Sequence, residues 1–155
     1  MKRDPIDIRN WLRLSDRITT SGKLAPSDPA RLAAIGVKRV INLALEDHPE
    51  SLPDAHAAMK AAGLAYIHIP VPFDAPTDDH YREFASALEA DDGPVHIHCI
   101  MNFRVSAFFY RYHVEACGMD EPAARALMEK VWSPHRTDHM EVPPWRAFVE
   151  RTGQG

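Results

Sequence analysis

The chain has 155 residues, 45% hydrophobic and 26% charged, the proportions of an ordinary globular protein, and is expected to form one domain over residues 1–155. A net charge of −4 supplies no field for holding nucleic acid or anionic lipid, so neither is an expected partner, and any bound anion must be gripped by a local site. The opening MKRDPID lacks an apolar signal core, no stretch approaches a membrane span, and two cysteines exclude a disulfide framework or a four-cysteine zinc site; a cytoplasmic location is expected.

Trp11 to Thr20 reads as an additional edge strand or strand pair. Ser27-Asp28-Pro29 has the form of a helix N-cap with proline in the first turn, and Gly36 suits the stop after Leu32, Ala33 and Ile35. Val37 to Leu45 (VKRVINLAL) is β-rich and mostly apolar, as befits a strand covered on both faces. Pro53 to Ala62 is alanine-rich and ends at Gly63, predicting a second helix, and Leu64 to Val71 (LAYIHIPV) a second strand. Thr77 can cap a third helix with Asp78 and Asp79 in its first turn, since Tyr81, Phe84, Ala85 and Leu88 recur at helical spacing. Val95 to Cys99 (VHIHC) is a short strand. Phe103 to Ala116 is apolar almost all round, which predicts a buried central helix. Asp120 caps another helix, and Pro143-Pro144-Trp145 opens a short last one. Strands alternating with helices through short connections predict an α/β fold with a mostly parallel central sheet flanked by helices. Ligands of such sheets bind beyond the carboxyl ends of the strands, which directs attention to the end of VHIHC.

There a strand ends in Cys99, and after Ile100, Met101, Asn102 and Phe103 comes Arg104 at the head of the buried helix. Backbone N–H groups in a strand-to-helix turn make an anion cradle, reinforced by the helix dipole. The same dipole favours a thiolate nucleophile, and a planar guanidinium can fork to two oxygens of a tetrahedral oxyanion. A lone cysteine at a strand end is more often core filler, but arginine near a helix start opposes the dipole unless an anion is present.

With these residues the chain resembles the cysteine-dependent protein phosphatases, in the small bacterial dual-specificity and tyrosine-phosphatase-like branch with a shortened loop. The resemblance runs from about Arg17 to Phe148 and includes the Ile18-Thr19-Thr20-Ser21-Gly22 segment, VINLAL, IPVPFDAP, HCIMNFRVSAF, Trp132 and Trp145. The usual signature is C-x5-R with an internal glycine and Ser or Thr next. Here it is C-x4-R, Asn102 stands where the glycine is expected, and Ser106 lies one place late. Asparagine tolerates positive φ better than most residues, so the turn can still be built.

Cleavage of a phosphate ester by a thiolate needs a proton for the leaving oxygen. Asp74, between Pro72 and Pro76 beyond the second strand, is the candidate acid, and the resemblance places the acid loop there; the plain reading is an aspartate that begins a turn. His96 and His98 share one strand face and with Cys99 hint at a metal, but lack a third ligand; hydrogen bonding beside the loop is the expected role of His98. His135 and His139 stand four apart in a segment of doubtful helicity. Arg111 is expected to reach a carboxylate that the sequence does not identify.

The expected function is that of a phosphatase-like hydrolase of phosphotyrosine-like or other phosphomonoesters. Cys99 would be the nucleophile, Asp74 the acid, and residues 99–104 the phosphate loop, with no metal or cofactor. Its partner would be a phosphorylated protein or a small phosphoester. A rhodanese-like sulfurtransferase using a Cys99 persulfide and a non-catalytic phosphate-binding domain are the alternatives.

Overall fold

The alternation of β-rich and helical segments produces one five-stranded sheet in the computed structural model, which describes residues 3–137 and 142–152. Its strands are β1 (Leu12–Arg13), β2 (Ile18–Ser21), β3 (Arg39–Asn42), β4 (Ala65–His68) and β5 (Val95–His98). The helices are α1 (Asp28–Ala34), α2 (Ala55–Ala61), α3 (Asp78–Glu89), α4 (Phe103–Glu115), α5 (Glu121–Glu129) and α6 (Pro143–Glu150). Strand order is β1-β2-β5-β3-β4, and every neighbouring pair is parallel except β1 with β2. Ser21 lies opposite His98, His98 opposite Asn42, and Asn42 opposite His68. This row marks the carboxyl edge of the parallel strands.

Side-chain alternation divides the apolar residues between the two faces. Val40 joins Leu32 of α1 and Met59 of α2 on one side. Its neighbour Ile41 joins Ile97, Phe84, Phe108 and Phe148 on the other, where α3, α4 and α6 pack. Phe84, Phe108 and Phe148 are fully inaccessible, each contributing roughly 2–3 kcal/mol by burial, and their edge and stacked contacts fix α4 against α3 and α6. Among the described residues no helix is long and apolar enough to cross a membrane.

Several local expectations change. The strands are shorter than their apolar runs; past Asn42 and His68 single backbone bonds carry the chain on, from the Leu43 N–H to the His98 carbonyl and from the Ile69 N–H to the Asn42 carbonyl. Of the pair expected at the edge, β2 is interior to the sheet and β1 forms the edge; β4 is the opposite edge. The sequence of β2 reads as polar because Thr19, Thr20 and Ser21 satisfy their buried hydroxyls internally: Thr19 and Ser21 each meet His96 at 2.8 Å, and Thr20 donates to the Leu12 carbonyl. Ser27 precedes α1 in a helical conformation and makes no capping bond; the Asp28 carboxylate instead accepts from the Ala25 N–H at 2.7 Å. Asp120 likewise flanks α5 without a side-chain cap. Thr77 does cap α3, in a reciprocal box with His80.

Candidate active site

β5 delivers the chain to the carboxyl edge at His98, and residues 99–102 turn it into α4. The turn closes because Asn102, directly before the helix, takes a left-handed conformation at φ 66°. Its side-chain amide donates to the Asn10 carbonyl at 2.8 Å and to Thr20 Oγ1 at 3.1 Å, locking the turn against the β1–β2 region.

The loop carbonyls are engaged in succession. The His98 carbonyl accepts from the Leu43 N–H, the Ile100 carbonyl from the Lys23 N–H at 2.9 Å, and the Met101 carbonyl from Asn10 Nδ2 at 2.8 Å. The Asn102 carbonyl accepts from the Ser106 N–H and so starts α4. Ser106 donates its hydroxyl to the Phe103 carbonyl at 3.1 Å.

Arg104 is 6% exposed, and Nη1 donates to the Val71 carbonyl at 2.8 Å. Its Nε is buried without an acceptor, and among the described residues no carboxylate pairs with it. Phe73 covers the guanidinium, its ring centroid 5.6 Å from Cζ. That ring packs in turn on Trp132 and Trp145, while the Trp145 indole N–H donates to the Phe73 carbonyl. Phe103, one residue before Arg104, stacks on Trp132 at 4.5 Å and 6°. The segment holding Asp74 is therefore a shaped loop, with a turn closed by the Ala75 N–H on the Pro72 carbonyl.

Cys99, Arg104 and Asp74 all line one cavity of about 540 Å³ at the carboxyl edge, together with Ile100, Met101 and Phe103. Asn102 does not; its side chain is fully buried and faces Asn10 and Thr20. Cys99 is 1% exposed and Asp74 is exposed. His48 and Thr137 also line the cavity, and nothing in the sequence singled them out.

His98 Nδ1 lies 3.3 Å from the Cys99 carbonyl, while Nε2 is buried without a partner. Burial pushes the His98 pKa down to about 4, with the nearby His68 and Arg104 lowering it further and the contact to Cys99 opposing. The ring is neutral at neutral pH, and donation from Nδ1–H to the carbonyl fits that state. His96 is held between Thr19 and Ser21 and stacked on Trp11, with burial pushing its pKa well below the ordinary value. Among the described residues no group of three metal-ligating side chains forms. His139 lies outside the described residues, and His135 pairs with Glu150. Arg111 meets Asp78 at 2.8 Å and Glu115 at 2.7 Å, so Asp78 is a charge of the α3 first turn turned toward α4.

Residues 10–111 match the family described as "Beta-lactamase hydrolase-like protein, phosphatase-like domain". The Beta-lactamase hydrolase-like protein of Agrobacterium fabrum is 31% identical over 91 residues, which are 57% of this chain and 21% of that protein; the match thus spans about a fifth of the relative. A phosphatase-like protein of Shewanella putrefaciens CN-32 superposes with a TM-score of 0.82 at 25% identity, covering 96% of this chain and 94% of the other. P. aeruginosa TpbA, solved in complex with pTyr, shares the fold with a TM-score of 0.73 at 22% identity over 99% of this chain and 89% of its own.

Proposed function

The chain belongs to the phosphatase-like domain family of beta-lactamase hydrolase-like proteins, and from that membership we propose that it hydrolyses phosphomonoesters through a cysteinyl-phosphate intermediate. The observation that carries the reading is Arg104. Its guanidinium is buried in the cavity beside Cys99, with its Nε unmatched and no described carboxylate to pair with it. Such a charge is costly unless an anion completes it, and the unused Nε edge is the one that forks to two oxygens.

In the proposed reaction the ester phosphoryl sits between Arg104 and the backbone N–H groups of residues 100–104. The Cys99 thiolate attacks phosphorus, forming an S–P bond as the P–O bond to the leaving group breaks. Asp74 gives its proton to the departing oxygen. Water then attacks phosphorus, Asp74 takes a proton from it, and the S–P bond breaks to release inorganic phosphate and the thiolate. Charge on the equatorial oxygens is stabilised by donors already in place, the largest share of such catalysis. The Leu45, Phe73 and Phe103 walls suit an aryl group on the ester, and the pTyr complex of TpbA supports the same class. The substrate is accordingly a phosphotyrosine-like aryl phosphate on a protein or a small molecule.

Mass spectrometry of the Cys99 peptide tests the reading. Incubation with an aryl phosphate and an acid quench should trap an adduct of about 80 Da on Cys99, the mass of a phosphoryl group. An adduct of about 32 Da after thiosulfate, with none from the phosphate, would mean persulfide chemistry instead. Phosphate affinity with neither adduct would leave a binding domain.

A further inference from the structure

The loop that faces the cavity is built by contacts on its opposite side. In a trans peptide the C=O and N–H point in opposite directions, so fixing a carbonyl fixes the following N–H. The Ile100 carbonyl is held by the Lys23 N–H and the Met101 carbonyl by Asn10 Nδ2, both outside the loop. The Met101 and Asn102 N–H groups must therefore face away from the β1–β2 region. Among the described residues neither has a hydrogen-bond acceptor.

Two residues make this arrangement possible. Gly22 lies against the loop so closely that a Cβ there would stand 2.5 Å from the Ile100 carbonyl oxygen. Gly22 also donates its N–H to the Arg9 carbonyl at 2.7 Å, bringing Asn10 beside Met101. Asn10 adopts φ 50°, a left-handed conformation that most non-glycine residues avoid. It is held there by a reciprocal pair: Asn10 Nδ2 donates to the Met101 carbonyl, and the Asn10 carbonyl accepts from Asn102 Nδ2, both at 2.8 Å. The six-residue Cys99–Arg104 loop thus has its peptide planes set by an asparagine 92 positions before Asn102.

We propose that Asn10 and Gly22 are positioning residues of the phosphate site, aiming the Met101 and Asn102 N–H groups at the bound oxyanion by holding the carbonyls behind them. The inference rests on the phosphatase reading of the Cys99 loop and extends it to residues that touch no substrate.

The test follows protection of Cys99 from iodoacetamide by inorganic phosphate, read on the Cys99 peptide, with kcat and KM for an aryl phosphate. Asn10→Gly keeps the left-handed backbone without strain and removes only the side-chain donor. It should raise the phosphate concentration for half-protection about tenfold, the equivalent of one lost hydrogen bond. It should also lower kcat/KM by at least as much and shift the pH midpoint of alkylation upward, with thermal unfolding little changed. Asn10→Asp, which sets a carboxylate against the Met101 carbonyl, should be worse than Asn10→Gly. Gly22→Ala should match or exceed it, because the Ile100 carbonyl must turn. Should Gly22→Ala fold poorly, the two Asn10 variants carry the test. Equal protection and an unchanged alkylation midpoint in wild type and Asn10→Gly would overturn the positioning role alone. Absence of phosphate protection in wild type would overturn the anion-cradle reading beneath it.

Discussion

Arg104 Nη1 donates to the Val71 carbonyl at 2.8 Å, tying the helix that follows Cys99 to the segment that carries Asp74 three residues later. One edge of the guanidinium is spent on architecture, and the other carries the unmatched Nε that the proposed reaction assigns to the phosphate. The Cys99 loop and the Asp74 segment are thus registered to each other by the residue proposed to hold the phosphate.

Arg104→Lys should lose nearly as much activity as Arg104→Ala, on the order of a hundredfold or more, although it keeps the charge. An ammonium is a compact point charge, and cannot bind the Val71 carbonyl while forking to two phosphate oxygens. Steady-state kinetics on an aryl phosphate decide this; a lysine variant within a few-fold of wild type would reduce Arg104 to a simple counter-charge.

Asp74→Asn should slow esters with poor leaving groups by about 10² or more, the usual size of a general-acid contribution. The deficit should shrink as the leaving-group pKa falls, because a stable phenolate departs unaided. A loss of the same size across a series of substituted phenyl phosphates would make Asp74 structural.

Mild peroxide should inactivate the protein through a sulfenic acid at Cys99, without an intrachain disulfide. Both cysteines are free; Cys99 is buried and Cys117 is exposed beyond the far end of α4. That helix of 13 residues separates them by about 20 Å, whereas a disulfide needs Cα atoms within about 7 Å. Burial and the nearby Glu89 push the Cys117 thiol up, which further disfavours its thiolate. Cys117→Ser should leave the inactivation rate unchanged, and a Cys99–Cys117 crosslink in the oxidised monomer would contradict the placement of α4.

Stability should fall with acid well before the carboxylates titrate. Both His96 and His98 have pKa values below the ordinary 6.5, His98 at about 4, because burial disfavours their charged forms. Below pH 6.5 the unfolded chain binds protons at these rings while the folded chain does not, so unfolding free energy drops as pH falls from about 6.5 toward 4. For His98 alone the loss over that window is about 3 kcal/mol. Urea unfolding at intervals of pH measures the slope, and His98→Asn should lower it by one proton. A flat profile between pH 6.5 and 4.5 would mean these rings are protonated in the fold.

The sequence disclosed this site unevenly, and the reason is distance along the chain. Cys99, the four residues after it and Arg104 are contiguous, so spacing alone revealed the strand, the turn and the buried α4. Asn102 was readable as the substitute for glycine because the requirement for positive φ is local, and it is met at φ 66°. Asn10 was invisible, since it meets Met101 only through the order β1-β2-β5, which brings segments 91 residues apart side by side. The interior place of β2 was hidden for a related reason. Its three hydroxyl residues look solvent-facing until His96 and the Leu12 carbonyl are found as partners from other strands.

The Trp145 indole, which grips the Phe73 carbonyl, comes from α6, well outside the stretch from 10 to 111 that marks the family. Trp132, which stacks on Phe103 and packs against Phe73, also lies outside it. A fragment trimmed to 10–111 would retain each group assigned to the chemistry and discard the aromatic clamp that holds two of them in place. Grafting or shortening this domain should therefore keep α6 with the cavity it helps to build. A trimmed fragment would be expected to expose Phe73, Phe103 and Phe108 to water and to aggregate before its turnover could be compared.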